Sequence, residues 1–519
     1  MGFQKVAVIL VASFYIAHGA QILGLFPFPG KSHMIVNSAL MKELARRGHQ
    51  VTVMSFFPES QPIPNLTDIY LGKMEYKAHS IPGNMFDLGE MSPFAIANML
   101  FQMGVSMTDT ALQSEGAVKL INSEDHHFDL VIMEAFFNEA FLGYAHKFNA
   151  SIVQLCLSGG THWMGDWVGN PNVYSFVPDI FLGYGDKMTF WERLVNTVVG
   201  TYWRMGRAYY YLPKQDAVMK KHFKALQTLP HLSDLERSTS LILLNNHFSL
   251  SAPRPLLPSM VQVGGLHVKP PNKLPQDLQK FLDEATEGAI YFSMGSNLQS
   301  SHMSEPMKRN FLHVFSKLKQ RVLWKFEEDT LPGQPKNVKL GKWLPQSDIL
   351  AHPNIRLFIT HGGLLSTQEA TSRGIPVIGI PIYADQKLNI LRVAAAGYGV
   401  LLEFNNITEE SLSTTIREVI KPRYRENAQR LSRIYRDQPL SPLDQAVFWT
   451  EYVIRHKGAP HLRSAALDLA WYQYFLLDVI VVLAVATGIP LFILFLILRK
   501  MFRLGCSRYQ RLNNKKKSQ

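Results

Sequence analysis

Apolar runs alternate with helical segments through the first half of the chain. The run at 22–28 ends in Pro-Phe-Pro-Gly, a segment with helical spacing follows it, and HQVTVMSFF (49–57) is the next apolar run. A strand, a helix and a strand at this spacing form a βαβ unit, in which the two strands are parallel. Because FDLVIMEAFF (128–137) and ASIVQLCL (150–157) repeat the strand pattern, we predict one open α/β domain over residues 21–262.

The alternation begins again after a segment rich in glycine and proline. VGGLHVKPPNKLP (263–275) has the composition of a linker between domains. The apolar runs after it are GAIYFSMGS, RVLWKF, NVKLGKWLP, IRLFIT, PVIGIPI and GVLLEF. They predict a second doubly wound α/β domain over 276–445, and a helical segment over 446–478 follows. Ligands of such sheets bind outside the carboxyl ends of the strands, so we expect a cleft between the domains to bind the ligand.

Residues 160–230 have a different pattern. Trp, Tyr and Met recur at helical spacing in TFWERLVNTVVGTYWRMGRAYYYLP. Two interpretations are open. The segment forms an extra helical layer over the core, or it presents an aromatic surface that faces an apolar molecule or rests on a membrane.

Both ends of the chain carry apolar segments. Residues 1–20 combine Lys5, an apolar core and small residues at the end, as in a cleaved secretory signal peptide. Residues 479–498 carry no charge and have the length of a membrane span. The segment at 499–519 is basic and has no acidic residue. The positive-inside rule places this tail in the cytosol, so we predict a single-pass type I membrane protein with lumenal domains.

The basic tail also accounts for much of the net charge of +12. Neither predicted domain has a basic stripe, which argues against a nucleic-acid-binding protein. In the final KKKSQ, Lys516 and Lys517 have the spacing of a dilysine signal for retrieval to the endoplasmic reticulum. A solvated basic run beside the membrane is the alternative.

Cysteines and glycosylation motifs add little further constraint. Cys156 and Cys506 lie on opposite sides of the predicted membrane, so they form no disulfide within the chain. Sequons begin at Asn65, Asn149 and Asn406, and each is a glycosylation site if it is exposed.

The first candidate for chemistry is the stretch FITHGGLL. His361, Gly362 and Gly363 end an apolar run and open a helical segment. Glycine lets the backbone approach a ligand closely, and a helix N-terminus offers unpaired N–H groups to an anion. The stretch suits a phosphate or pyrophosphate, and a tight turn is the alternative.

Further residues with suitable chemistry stand at or just after the strand ends of the second domain. They are Gly295, Ser296, Trp343, Gln346, Glu369, Asp385 and Gln386. An indole stacks on a base, an amide contacts its edge, and backbone and hydroxyl donors hold phosphate. Carboxylates suit the hydroxyls of ribose and of a second sugar. Taken singly, Asp385 also suits a helix N-cap. Because these positions share one sheet edge, the sequence predicts a nucleotide-sugar site.

WLPQSDILAHPNIRLFITHGGLLSTQEATSRGIPVIGIPIYADQKLN (343–389) resembles the signature of the UDP-glycosyltransferases, a membrane-bound family that includes the UDP-glucuronosyltransferases. The similarity includes APRPLLP (252–258), GAIYFSMGS (288–296) and PLDQAVFWTEYVIRHKGAPHLR (442–463). The resemblance implies a GT-B fold. In that fold an N-terminal acceptor domain and a C-terminal donor domain face one cleft.

The resemblance also implies roles for individual residues. Trp343 would stack on uracil, Gln346 would contact the base or the ribose, and Glu369 would bind the ribose hydroxyls. The residues implied for the diphosphate are His361, Gly295 and Ser296, and those for the transferred sugar are Asp385 and Gln386. His33, after the first strand, matches the catalytic base, which takes the proton of the acceptor hydroxyl in an inverting displacement. Glu134 stands where the family has an aspartate that orients this histidine. No metal and no cofactor are implied, because donors and the helix dipole stabilise the departing UDP.

Two positions bear on the sugar that is transferred. Leu365 and Ser366 stand where many members of the family have Asn-Gly, which removes one donor to phosphate. Arg254 matches an arginine suspected of pairing with a glucuronate carboxylate, and a structural salt bridge is the alternative.

The sequence therefore predicts an inverting UDP-glycosyltransferase of the endoplasmic reticulum membrane. It would transfer glucose or glucuronate to a hydroxyl of a small lipophilic acceptor, for detoxification or turnover of endogenous lipophiles. Copies of the chain or other members of the family would be its partners in an oligomer. The alternative is a catalytically weak UDP-sugar-binding partner of active relatives, which the changes at Glu134 and Leu365 favour. A third hypothesis is hydrolysis or epimerisation of the UDP-sugar without an acceptor.

Overall fold

Two parallel β-sheets organise the chain up to Arg463 in the computed structural model. The structure describes residues 19–73 and 84–517, and it divides into one unit that ends at Arg463 and another that begins at Ser464. Apart from Gly19 and Ala20, the predicted signal peptide (1–20) lies outside the described residues.

The first sheet has seven strands in the order β3-β2-β1-β4-β5-β6-β7, and all its pairings are parallel. Its strands are β1 Gln21–Phe26, β2 Gln50–Ser55, β3 Leu66–Tyr70, β4 Leu130–Glu134, β5 Ser151–Cys156, β6 Thr239–Leu244 and β7 Met260–Gln262. The helices of this part are α1 Lys31–Arg46, α2 Pro93–Leu112, α3 Glu115–Asn122, α4 Leu142–Phe148, α5 His162–Val168, α6 Phe190–Gly206, α7 Leu212–His222 and α8 Leu232–Arg237. The central strand β4 is buried at every position, which explains its unbroken apolar run.

The second sheet has six parallel strands in the order β10-β9-β8-β11-β12-β13. Its strands are β8 Ala289–Ser293, β9 Arg321–Lys325, β10 Val338–Gly341, β11 Ile355–Thr360, β12 Val377–Gly379 and β13 Gly399–Leu401. Its helices are α9 Gln276–Asp283, α10 Glu305–Ser316, α11 Gln346–Leu350, α12 Leu364–Arg373, α13 Gln386–Ala395, α14 Glu409–Val419 and α15 Pro422–Arg436. In both sheets the strand order departs from chain order beside the first strand, which leaves a crevice at the carboxyl ends of the strands.

The chain returns to the first sheet after α15. Helix α16 (Pro442–Arg455) buries Ala446, Val447 and Val453 in the same apolar cluster as residues of β1 and β2. The segment before the second sheet also contributes, because Leu266 lies in that cluster. Both ends of the second domain are thus attached to the first domain.

A short segment of the first half packs into the core of the second. Within the 3₁₀ turn Met85–Glu90, Phe86 is 8% exposed and stacks on Phe404, with 5.1 Å between the ring centroids. Its cluster also contains Phe311 and Ile407. This contact joins the segment before α2 to the second domain.

We expect Phe86→Ala to lower the free energy of unfolding by about 3 kcal/mol, because it removes a buried aromatic ring and leaves a cavity. Denaturant unfolding of the detergent-solubilised chain would measure the change. Phe190→Ala is the matched control, since Phe190 is 61% exposed, and it should leave stability almost unchanged. Equal effects of the two variants would contradict the packing described for Phe86.

The unit that begins at Ser464 contains α17 Trp471–Tyr474 and α18 Leu477–Lys517. Helix α18 includes the predicted span at 479–498, and it is long and apolar enough to cross a membrane. Pro490 lies inside this helix. Lys516 and Lys517 are exposed in its last turn. These features fit a single-pass membrane protein.

Candidate active site

A cavity of about 930 Å³ lies between the carboxyl ends of the two sheets. Almost all of the predicted site residues line it: His33, Glu134, Gly295, Ser296, Trp343, Gln346, His361, Gly363, Glu369, Asp385 and Gln386. Gly362 and Arg254 do not line it. Residues that are far apart in the chain thus meet in one cleft.

His33 and Glu134 form a pair that lines the cavity. His33 lies in the first turn of α1, and Glu134 is the last residue of β4, which pairs with β1. A Glu134 carboxylate oxygen contacts Nδ1 of His33 directly. The other oxygen accepts a hydrogen bond of 3.0 Å from the side-chain amide of Asn37. Because the carboxylate occupies Nδ1, it leaves Nε2 as the nitrogen available to a ligand.

Glu134 and His33 differ in their exposure to solvent. Glu134 is 0% exposed, whereas the His33 side chain keeps 18% exposure. The rings of Phe28 and Phe136 lie 4.3 Å and 4.9 Å from the imidazole ring, measured between centroids. The imidazole is therefore held by a buried carboxylate and flanked by aromatic rings, an arrangement that suits a general base beside an apolar ligand.

The glycine turns of the second domain surround His361. A Cβ atom at Gly295 or at Gly363 would come within 2.5 Å of the His361 ring, and Gly295 and Gly362 both have a φ of +85°. Glycine is therefore required for both geometry and space at these turns. Burial lowers the pKa of His361 to about 4, and the charge of Lys325 acts in the same direction. His361 is neutral near pH 7 and can donate one N–H.

Helix α12 begins next to this turn. Its N-cap residue Gly363 and its first residue Leu364 line the cavity, so the unpaired N–H groups of its first turn lie beside it. With Gly295, Ser296 and His361, they provide donors for an anion. Leu365 lines the cavity without a polar side chain, as the sequence indicates.

A polar cluster formed by residues of α11 and α12 also lines the cavity. The amide of Gln346 donates to Glu369 at 2.6 Å and to Ser366 at 3.0 Å. Burial raises the pKa of Glu369 to about 7, although the Gln346 hydrogen bond opposes the shift. Trp343 is 57% exposed, and the Lys31 ammonium lies 5.0 Å from the centroid of its ring. An exposed indole beside a buried carboxylate suits a base and its ribose.

Asp385 and Gln386 open α13. The Asp385 side chain does not cap the helix, so the N-cap interpretation does not describe its role. Its carboxylate accepts from Asn389 at 3.1 Å, and burial raises its pKa. The side-chain oxygen of Gln386 accepts from the N–H groups of Ile382 and Tyr383. The Gln386 amide group is left to face a ligand.

The other half of the cavity is apolar. Its lining from the first domain is rich in methionine and aromatic residues: Phe28, Met85, Met99, Met103, Phe136, Phe137, Trp163, Met164 and Phe181. The fully buried Trp203 of α6 stacks on Phe181, with 4.8 Å between centroids. Helix α6 is therefore a helical layer behind the cavity wall. Its outer face is apolar and exposed at Trp191, Val198 and Met205.

Arg254 lies in a smaller neighbouring cavity that Asp385 and Arg392 also line. Its guanidinium makes one long hydrogen bond, 3.4 Å to the Gly160 carbonyl, and the structure as described pairs it with no carboxylate. Over residues 19–73 and 84–517 Arg254 has no salt bridge, and its pairing with a glucuronate carboxylate stays a prediction. Burial lowers the pKa of Arg254 to about 10.

Other predicted positions have simple environments. Asn65, Asn149 and Asn406 are all exposed. Over residues 19–73 and 84–517 no group of three or more His, Cys, Asp or Glu side chains is arranged to hold a metal.

Two residues that hydrogen-bond to the site carboxylates were not predicted from the sequence, Asn37 and Asn389. Each lies four residues after a predicted site residue on a helix, and this spacing is the signal that could have found them.

Solved structures show the fold. The crystal structure of CalG4, the calicheamicin glycosyltransferase, superposes with a TM-score of 0.58 and 17% sequence identity, covering 84% of this chain and 98% of that one. The UDP-glucose: anthocyanidin 3-O-glucosyltransferase structure, a complex with UDP, has a TM-score of 0.54 and 17% identity, and the match covers 84% and 99% of the two chains. The predicted fold is confirmed: two Rossmann-like domains in the GT-B arrangement.

Sequence comparisons show the family. The family model described as UDP-glucoronosyl and UDP-glucosyl transferase matches residues 90–516. UDP-glycosyltransferase UGT5 of Dactylopius coccus is 41% identical, over 90% of this chain and 89% of that protein. The 2-hydroxyacylsphingosine 1-beta-galactosyltransferase of Rattus norvegicus is 33% identical, over 94% and 90%. Human UDP-glucuronosyltransferase 2B10 is 34% identical, over 88% of each. The predicted family is confirmed: the chain belongs to the UDP-glycosyltransferases and is a glycosyltransferase.

Proposed function

We propose that this enzyme transfers glucose or glucuronate from a UDP-sugar to a hydroxyl of a small lipophilic acceptor, with inversion at the anomeric carbon. One observation carries the proposal. The His33–Glu134 pair lines the same cavity as the polar residues of the second domain, and the aromatic rings of Phe28 and Phe136 flank His33. A base at this point reaches both an acceptor hydroxyl and the sugar of a bound donor.

The donor would extend along the second domain. Trp343 would stack on uracil, Glu369 would accept from the ribose hydroxyls, and His361 would donate to the diphosphate. Gly295, Ser296 and the first turn of α12 would add donors at the phosphates, and Asp385 and Gln386 would hold the transferred sugar. The fact that these groups line one cavity supports this placement, as does the steric need for glycine beside His361.

In the reaction, Nε2 of His33 would take the proton of the acceptor hydroxyl as its oxygen attacks the anomeric carbon. The bond from that carbon to the UDP oxygen breaks on the opposite face, and UDP leaves with the electron pair. Glu134 would stabilise the imidazolium that forms, because an ionised carboxylate at Nδ1 favours the charged ring. The His361 N–H and the N-terminus of α12 would stabilise the charge on UDP, so the step needs no metal.

The acceptor would be an uncharged lipophile. Its half of the cavity is lined by aromatic and methionine side chains, which suit apolar molecules of varied shape. One relative is named as a 2-hydroxyacylsphingosine galactosyltransferase and another as a glucuronosyltransferase. We place the enzyme in the endoplasmic reticulum membrane with its cavity on the lumenal side. The single span and the basic tail with Lys516 and Lys517 support this location.

The direct test is turnover by microsomes that contain the full chain. UDP-glucose, UDP-glucuronate and UDP-galactose would each be offered with a panel of phenols and lipophilic alcohols, and products identified by mass spectrometry. We expect a glycoside with inverted anomeric configuration. UDP release without any acceptor would instead support hydrolysis. UDP binding without product, together with stimulation of a co-expressed active relative, would support the binding-partner alternative.

Donor binding should depend on pH through Glu369. The ribose hydroxyls need an ionised carboxylate as acceptor, and burial raises the pKa of Glu369 to about 7, with Arg373 opposing and Asp348 favouring the shift. Affinity is therefore full above this pKa and is lost as pH falls through it. We expect the Kd of UDP-glucose to rise about tenfold from pH 8 to pH 6.

Isothermal titration with UDP-glucose would measure this dependence, since its diphosphate does not titrate in the same range. Glu369→Gln is the control, because it keeps the shape and removes the titration. A variant Kd that stays constant between pH 8 and pH 6 supports the assignment. The same slope in both proteins would assign the pH dependence to another group.

A further inference from the structure

His267 is a buried histidine in the segment that joins the two domains. Its side chain is 1% exposed, and its ring lines the large cavity. The backbone before it is fixed. The Gly265 N–H donates to the Asn245 side chain at 3.1 Å, and the Tyr435 hydroxyl donates to the Gly264 carbonyl at 3.0 Å. The backbone beside His267 is therefore held in place, although the composition of 263–275 predicts a linker.

The ring of His267 faces the carboxylate of Glu369. Its Nε2 lies 4.0 Å from Oε1 of Glu369. The other carboxylate oxygen, Oε2, already accepts from Gln346 at 2.6 Å. His267 thus lies beside the oxygen that the Gln346 amide leaves free.

Neither ring nitrogen of His267 makes a hydrogen bond of normal geometry. Buried polar side chains in proteins almost always have a good partner, so an imidazole beside a ligand cavity whose polar contact is limited to the Leu365 backbone calls for a functional explanation. Burial lowers the pKa of His267 to about 4, and the nearby Leu365 backbone opposes this shift. The ring is neutral near pH 7 and carries one N–H that can be donated.

A small movement would join the two groups. A nitrogen–oxygen distance of about 3 Å makes a hydrogen bond, so a shift of about 1 Å suffices. An ionised carboxylate buried away from water needs such donors, and each hydrogen bond to a charged group is among the stronger ones in proteins.

We propose that His267 is a positioning residue for the donor. Its ring N–H donates to Oε1 of Glu369 and holds that carboxylate, ionised, against the ribose hydroxyls of the bound UDP-sugar. His267 acts through Glu369 and does not touch the reacting atoms. This inference rests on the proposed role of Glu369 in binding the ribose.

The test compares His267→Leu and His267→Gln in the full chain, with UDP as the probe. For His267→Leu we expect a Kd for UDP roughly tenfold higher, because a hydrogen bond to a charged group is lost. The KM for the UDP-sugar should rise with it, and kcat at saturating donor should stay close to that of the original protein. His267→Gln keeps an N–H donor and should restore most of the affinity.

Two controls separate positioning from a structural role. In the ligand-free protein, His267→Leu should leave the melting temperature unchanged or raise it, because it replaces an unpaired buried polar group by an apolar one. A large fall in the melting temperature would overturn the proposal. His162→Leu removes another buried histidine whose Nε2 is unpaired, far along the chain from the donor residues, and it should leave UDP affinity unchanged.

A double-variant cycle completes the test. If His267 acts through Glu369, His267→Leu has no further effect on UDP affinity in a Glu369→Gln background. Independent, additive losses would overturn the proposal, and so would UDP binding by His267→Leu equal to that of the original protein. If the original protein itself does not bind UDP, the proposed function fails as well, and this result is distinct from the other two.

Discussion

We expect His33→Ala to lower kcat for sugar transfer by about 10²–10⁴-fold and to leave the Kd of UDP unchanged. Positioned general bases contribute rate enhancements of this size. A hydroxyl is a poor nucleophile at neutral pH, and His33 lines the cavity as a base whose other ring nitrogen is in direct contact with a carboxylate. UDP affinity should not change, because the proposed contacts of UDP all lie in the second domain.

The measurement is a pair of assays on one preparation: product formation under saturating donor and acceptor, and UDP binding by titration. His313→Ala is the matched control, because His313 is an exposed histidine paired with Glu409 on the surface of the second domain. It should keep full activity. Turnover by His33→Ala at the rate of the control would remove His33 from the mechanism.

The second large effect concerns Glu134. We expect Glu134→Gln to lower kcat by about 10²–10⁴-fold, as the loss of the carboxylate does in related histidine pairs. The amide has the same shape, but it cannot stabilise an imidazolium. The amide N–H can also donate to Nδ1. The ring proton would then lie on Nε2, and that nitrogen could not accept a proton from the acceptor hydroxyl. The melting temperature, measured beside kcat, would show whether the fold is intact.

Glu134→Asp distinguishes the two contacts of this carboxylate. Glu134 reaches His33 with one oxygen and Asn37 with the other. An aspartate is shorter by one methylene and cannot keep both contacts from the same backbone position. We expect an activity between those of the original protein and Glu134→Gln. A Glu134→Gln variant with full activity would show that another group orients His33.

The local pattern of apolar residues was sufficient to predict the strands that carry the site. β1, β4, β5, β8 and β11 are buried along most of their length, so each is a nearly continuous apolar run, interrupted by Gln154 in β5 and by the exposed Arg356 in β11. The ends of these strands could also be predicted, because the chain turns at the carboxyl edge of a parallel sheet and glycine and polar residues are common there. For this reason the donor residues from Gly295 to Gln386 could be predicted to share one crevice.

Three other strands of the first sheet, β3, β6 and β7, were harder to predict from the sequence. β3 is only partly buried and mixes polar with apolar residues, and β7 is three residues long. β6 has an apolar run, LILL, but it lies far along the chain from the neighbouring strand β5. The segment at 160–230 was ambiguous because α6 is apolar on both sides: Trp203 is buried behind the cavity, whereas Trp191 is exposed.

By itself, the sequence determined the two α/β domains, the family signature and the identity of the residues at the strand ends, since these follow from short-range pattern. Only the tertiary structure decided which of them touch. β4 lies beside β1 in the sheet, and so Glu134 meets His33 across 101 positions of the chain. The return of α16 to the first domain, the packing of Phe86 on Phe404 and the approach of His267 to Glu369 are also long-range contacts. Periodicity records which face of an element is buried, but the partner on that face is chosen by the packing of the whole chain.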